Sequence, residues 1–124
     1  MALSPYWNPK NETLPREDLR ALQLVKLQRM VAWAYEKSPF HRTRWEAAGF
    51  SSDQLKSLDD LRRIPFMTRE EWMESIGNKP LFGDLPTTDQ ENAIRYHLTS
   101  GTSGRTPIRV LDGMKDWEWI AEMW

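Results

Sequence analysis

The chain is 124 residues long, enough for one hydrophobic core and too short for two. Its 17 Lys and Arg stand against 18 Asp and Glu, a net charge of -1 that implies no broad attraction to nucleic acid or to an anionic membrane. Cys is absent and His occurs only twice, which excludes disulfides and thiolate metal sites and leaves a poor set for any His-based metal site.

The opening MALSPYWNPKNETLP has neither the basic start nor the apolar middle of a signal peptide, and no apolar run is long enough to span a bilayer. The cytoplasm is the expected compartment. Asn11-Glu12-Thr13 matches a glycosylation sequon, which matters only in a secreted protein and is set aside. Pro15 suits a first helical position, and REDLRALQLVKLQRMVAWAYEK follows it with acids in the first turn, where the helix dipole favours them. Leu19, Leu22, Met30 and Trp33 fall on one stripe at helical spacing. Leu27, Val31, Ala34 and Tyr35 widen it into a face that needs more than one neighbour. Ser38 is placed to cap the next helix, with Pro39 in its first turn and Gly49 ending it after FHRTRWEAA.

Two capping boxes follow. Ser57 with Asp60 precedes the short LRRI, closed before Pro65, and Thr68 with Glu71 opens REEWMES, closed by Gly77. These helix starts account for the acid pairs Asp59-Asp60 and Glu70-Glu71 without catalytic work. The division expected is a helical region at 1–77, a connecting loop at 78–92 rich in Pro, Gly and Thr, and a last region at 93–124. In that last region the period changes. Ile94, Tyr96 and Leu98 alternate with Arg95, His97 and Thr99, which predicts a strand with the apolar set buried; Ile108 and Val110 alternate around Arg109 in the same way. Asp112 is placed to cap a final helix in which Trp117, Ile120, Ala121 and Trp124 share one face. That helix has no terminator and breaks off in mid-pattern, as though cut from a longer polypeptide. Seven Trp imply more packing surface than a chain this short can cover.

Between the two predicted strands lies LTSGTSGRTP. A phosphate needs several donors converging on one point; Gly lets backbone N–H groups turn inward, and hydroxyls add donors without bulk. Arg105 adds a guanidinium directly after them. The spacing is neither that of a Walker A loop nor that of a dinucleotide fingerprint. On its chemistry alone the stretch fits an ordinary hairpin turn as well as a phosphate cradle, and the turn is the commoner use of such residues.

LTSGTSGRTP resembles the signature loop of the adenylate-forming superfamily of acyl-CoA synthetases. The resemblance extends upstream: EKSPFHRTRWEAAGF, SLDDLRRIPFMTREEW and RYHLTSGTSGRTP, in this order and at this spacing, are similar to the N-terminal part of phenylacetate-CoA ligase and its relatives. It implies an α/β fragment of the large N-terminal domain of such an enzyme: a mostly helical region, then a β-hairpin around the loop, then a C-terminal helix. It also implies an activity, the ATP-dependent conversion of a carboxylic acid, typically an aryl acid, to an acyl-adenylate and then to a coenzyme A thioester, with Mg²⁺. Carried over to this sequence, Thr99, Ser100, Gly101, Thr102, Ser103, Gly104 and Arg105 bind the ATP phosphates, fixed donors facing the charge that gathers on departing pyrophosphate. Thr106 and Pro107 stand where many superfamily members have Pro and then Lys, so no Lys supplies that charge; Arg105 and Arg109 are the candidates to compensate, and Arg109 reads equally as an ordinary solvent-facing strand residue. No catalytic residue and no metal ligand is expected in this stretch, since the acidic Mg²⁺ ligand, the acyl pocket and the catalytic Lys of the family lie further along the enzyme. The chain alone is therefore expected to be inactive, with the remainder of the ligase as its partner.

A second reading comes from another class: a small helical interaction module docking through its Trp-rich last helix, with the loop a plain turn. His97, on the polar side of its strand, reads as half-exposed surface, and His41, among Arg42 and Arg44, as part of a solvated helix face.

Overall fold

The computed structural model describes residues 4–100 and 106–123. In chain order they form helices α1 (Pro9–Glu12), α2 (Arg16–Lys37), α3 (Pro39–Ala47) and α4 (Arg69–Asn78), strands β1 (Ala93–Leu98) and β2 (Arg109–Gly113), and helix α5 (Met114–Met123). Short 3₁₀ segments sit at Ser52–Gln54, Leu58–Arg63 and Gln90–Asn92. The expected order of a helical region, a hairpin and a final helix is the order found. α1 is an addition, built because Asn8 accepts from the Asn11 N–H at 3.1 Å and Pro9 sits in the first turn.

The core forms where α2 crosses α3. Val31, Trp45, Phe50 and Leu55 are buried, and Leu27, Ala34, Tyr35 and Ile64 pack against them. The chain is turned into this core at the end of α3 by a Schellman motif. Gly49 takes φ +70, Phe50 N–H reaches the Trp45 carbonyl at 2.8 Å and Gly49 N–H reaches Glu46 at 2.9 Å. The Phe50 ring then meets the Trp45 ring edge to face at 5.9 Å. The wide apolar face of α2 is thereby split: its Leu27–Tyr35 stripe is covered, while Met30 and Trp33 are 62% and 52% exposed.

Both expected capping boxes are present, on Ser57/Asp60 and Thr68/Glu71. Backbone hydrogen bonds from Thr68, then the Arg44 guanidinium, hold the Glu71 carboxyl below its ordinary value. Arg44 Nη2 lies 2.6 Å from Glu71 Oε1 and 2.8 Å from the Phe66 carbonyl, clasping α3 to the start of α4. α4 runs through Gly77 to Asn78, one residue past the expected stop. Gly77 keeps a negative φ there, and the left-handed turn falls instead on Leu81, at φ 84, after Pro80.

Leu55→Ala, at a side chain 1% exposed, is expected to cost about 3 kcal/mol in a urea melt followed by Trp fluorescence, whereas Met30→Ala on the open face costs under about 0.5 kcal/mol.

Candidate functional site

β1 and β2 pair antiparallel, with Arg95 opposite Asp112, His97 opposite Val110 and Leu98 opposite Arg109. Between Ala93 and Arg95 the register shifts by one residue, a β-bulge at Ile94. The bulge sets Arg95, His97, Thr99, Ile108, Val110 and Asp112 on one face of the hairpin. Ile94, Tyr96 and Leu98 take the other face and are 44%, 59% and 54% exposed, contrary to the expectation that they are buried. Neither face of β1 is enclosed, since Arg95 and His97 are 38% and 46% exposed in their side chains; the buried polar group of the hairpin is Asp112, which sequence reasoning assigned to a helix cap.

Asp112 is buried within β2 and caps nothing. Its Oδ2 accepts from Arg95 Nε at 2.8 Å and from His97 Nδ1 at 3.0 Å. Burial alone would push this carboxyl up, but the hydrogen bonds from Arg95 and His97 outweigh it and hold it below the usual carboxylate range. Because the ionised carboxylate only accepts, His97 carries its proton on Nδ1. His97 itself is half-exposed, as expected. The Arg95 guanidinium also stacks on Trp117 of α5, 4.0 Å from the ring centroid. Asp116 does the capping of α5, accepting from the Gly113 N–H at 2.8 Å.

At the far end of the hairpin, Thr99 N–H donates to the Ile108 carbonyl at 3.0 Å, and Ile108 N–H donates to Thr99 Oγ1 at 3.0 Å. This reciprocal pair closes the base of the loop. As Thr99 Oγ1 only accepts from Ile108, its own proton stays available to a further acceptor. Arg69, from α4, donates to the Thr106 carbonyl on the returning limb. Of the loop residues named from the sequence, Thr99 and exposed Ser100 are described; Gly101, Thr102, Ser103, Gly104 and Arg105 lie outside the described residues.

Behind the hairpin is a cavity of about 440 Å³ whose lining includes His41, Trp72, Phe82, Arg109, Asp112 and Trp119. His41 is therefore no part of a solvated helix face. Its ring lies 5.1 Å from that of Trp45, and burial, with the Arg44 charge second, pushes its pKa down. The signal missed in the sequence was position: His41 is four residues before Trp45, on the buried side of α3. Among the described residues no group of His, Asp and Glu is placed to hold a metal ion, and no helix is long and apolar enough to cross a membrane.

No family model matches the chain. It is 39% identical over 102 residues to a phenylacetate-coenzyme A ligase of Thermus thermophilus and 33% identical over 97 residues to one of Escherichia coli. Those stretches are 82% and 78% of this chain. By homology the chain corresponds to one part of a phenylacetate-CoA ligase-like protein. It spans only about a fifth of the length of these relatives, 22% and 21%. A crystal structure of 2-hydroxyisobutyryl-CoA ligase with 2-HIB-AMP and CoA in the thioesterification state matches 97% of this ligase-like chain, at a TM-score of 0.87 and 38% identity, and 25% of that chain is covered. The same ligase in the postadenylation state with 2-HIB-AMP gives 0.85 at 32% identity, over 99% of this chain and 26% of that one. The fold is thus that of the N-terminal part of an adenylate-forming CoA ligase. Both comparisons point to CoA ligases, and neither favours the interaction-module reading.

Replacing Thr99 by Ala leaves the Ile108 N–H without its acceptor, a loss of about 1 kcal/mol that should speed Ile108 amide exchange roughly fivefold, while Thr99→Ser keeps the wild-type rate.

Proposed function

We propose that this chain carries the ATP phosphate-binding hairpin of an AMP-forming acid–CoA ligase. The observation that supports it is the Thr99–Ile108 pair, which closes the hairpin directly below TSGTSGR and leaves that stretch as its loop. In this reading Thr99, Ser100, Gly101, Thr102, Ser103, Gly104 and Arg105 receive the β and γ phosphates. The Thr99 hydroxyl, its oxygen accepting from Ile108, donates its free proton outward, and the loop N–H groups and hydroxyls meet the charge that builds on pyrophosphate as it leaves. The Thr99 hydroxyl is held by the Ile108 N–H before any ligand arrives, and a donor so fixed needs no reorganisation during the reaction.

The acid is proposed to be an aryl acid of the phenylacetate kind, passing through an acyl-adenylate to coenzyme A. The residues described do not fit a Mg²⁺ site, so the ion that accompanies ATP is assigned to the remainder of the ligase. That remainder is also the partner that covers the open Ile94, Tyr96 and Leu98 face and the Trp117 and Trp119 side of α5. Within the piece, 1–77 serves as scaffold, 78–92 as connection and 93–124 as the phosphate-binding part, and the cytoplasm is the proposed compartment.

Titrating the chain with pyrophosphate and with Mg-ATP should give saturable protection of amides across 96–110. Gly101→Val and Gly104→Val, which place a side chain where the backbone must approach the phosphate, should weaken it about tenfold or more. A folded chain whose loop amides do not respond to either ligand would overturn the phosphate assignment for this piece.

A further inference from the structure

The hairpin that carries the loop can in principle pair in more than one register, because a shift by one residue exchanges the two faces of a strand. In β1 such a shift would turn Ile94, Tyr96 and Leu98 toward the side now taken by Arg95, His97 and Thr99. The bulge at Ile94 instead places Arg95 and His97 on the side of Asp112. The only ionised group on the inner face of β2 is Asp112, 6% exposed in its side chain, and both of its partners are on β1. A buried carboxylate left without partners is strongly unfavourable, so any register that removes Arg95 and His97 from it is penalised.

We propose that Asp112 is the positioning residue of the phosphate loop: through Arg95 and His97 it holds β1 in the register that sets Thr99 against Ile108. The hydrogen bonds are arranged for this. Arg95 and His97 are two residues apart on one face, and Thr99 is the next residue on that face, so the clamp and the mouth of the loop belong to one continuous row. The stack of Arg95 on Trp117 extends the row to α5, which follows β2 without a connecting loop. The inference rests on the phosphate reading above for its consequence, but not for its geometry.

The test is amide exchange and pyrophosphate titration on the whole chain, for Asp112→Asn, His97→Ala and His97→Gln. Asp112→Asn removes the charge at nearly constant shape and should speed exchange at Thr99 and Ile108 about tenfold, as expected for loss of a charge-assisted hydrogen bond, with Val31 and Trp45 unchanged. His97→Ala should move the same two amides, and His97→Gln, whose amide still donates, should restore them. In a His97→Ala background, the effect of Asp112→Asn should shrink, because the two act as one unit. Pyrophosphate affinity should fall in step with the exchange at Thr99. Unchanged exchange at Thr99 and Ile108 in Asp112→Asn overturns the proposal, as does equal loosening by His97→Ala and His97→Gln. Should Asp112→Asn loosen Val31 and Trp45 equally, the half-exposed His97 pair decides alone. If the wild-type chain fails to bind pyrophosphate, the phosphate reading falls while the exchange results still decide the role of Asp112.

Discussion

One buried hydroxyl joins the two halves of the molecule. Ser38, 0% exposed, accepts from the His41 N–H at 3.3 Å to start α3 and donates to the Asp84 carbonyl at 3.1 Å. The Phe40 N–H reaches the same carbonyl at 3.1 Å, and the Asp84 N–H donates to Ser75 Oγ at 2.9 Å. The junction of α2 and α3, the end of α4 and the start of the connection therefore meet at one polar point. Gly83 is required beside it: φ is +70, and a Cβ there would lie 2.6 Å from Ser75 Oγ. Since buried polar groups without partners are costly, none of these four segments can shift without the others. The connection leaves this point in a fixed direction, and Phe82 delivers it to Tyr96 of β1, ring centroids 6.3 Å apart.

What lies on either side of that point is unequal. The α2–α3 side is a conventional apolar core with aromatic edges meeting at Trp45. The hairpin side is held largely by directed contacts: Asp112 with Arg95 and His97, Arg69 with the Thr106 carbonyl, and Arg95 on Trp117. Directed contacts specify position but remove little apolar surface from water, and Trp33, Tyr96, Leu98 and Trp119 stay open to it. Among the described residues the sheet has two strands, so the outer edge of each has no strand beside it. The matched stretch is about a fifth of the length of the relatives.

The elements that the sequence disclosed are those with local causes. Ser38-Pro39, the two capping boxes and Gly49 each act within a few residues, and each was legible. The hairpin was legible from its period of two, and the resemblance of TSGTSGR to the adenylate-forming enzymes rests on the order of several segments. Which face of β1 meets a buried partner was not legible, because alternation reports two faces and not what lies against either. The partner of Arg95 and His97 is Asp112, seventeen residues from Arg95, whose position before a helix gave it a local explanation as a cap. His41 misled for a related reason: the flanking Arg42 and Arg44 suggest solvent, although Arg44 itself turns inward to Glu71.

The exposed apolar face of β1 is then a consequence of a choice between two costs. Turning Tyr96 and Leu98 to the side of Asp112 would remove only part of their apolar surface from water, since that side of β1 is itself 38% exposed at Arg95 and 46% at His97. It would also take Arg95 and His97, themselves half-exposed, away from a carboxylate only 6% exposed in its side chain, leaving that charge without a partner. The first gain is general and can be recovered by any surface that later covers the strand. The second loss is specific and no outside surface repairs it, since Asp112 faces inward. A hairpin built this way keeps its register before its apolar face is covered, which is the order of events required if the loop's geometry is to be set by this chain and the cover supplied by the rest of a ligase.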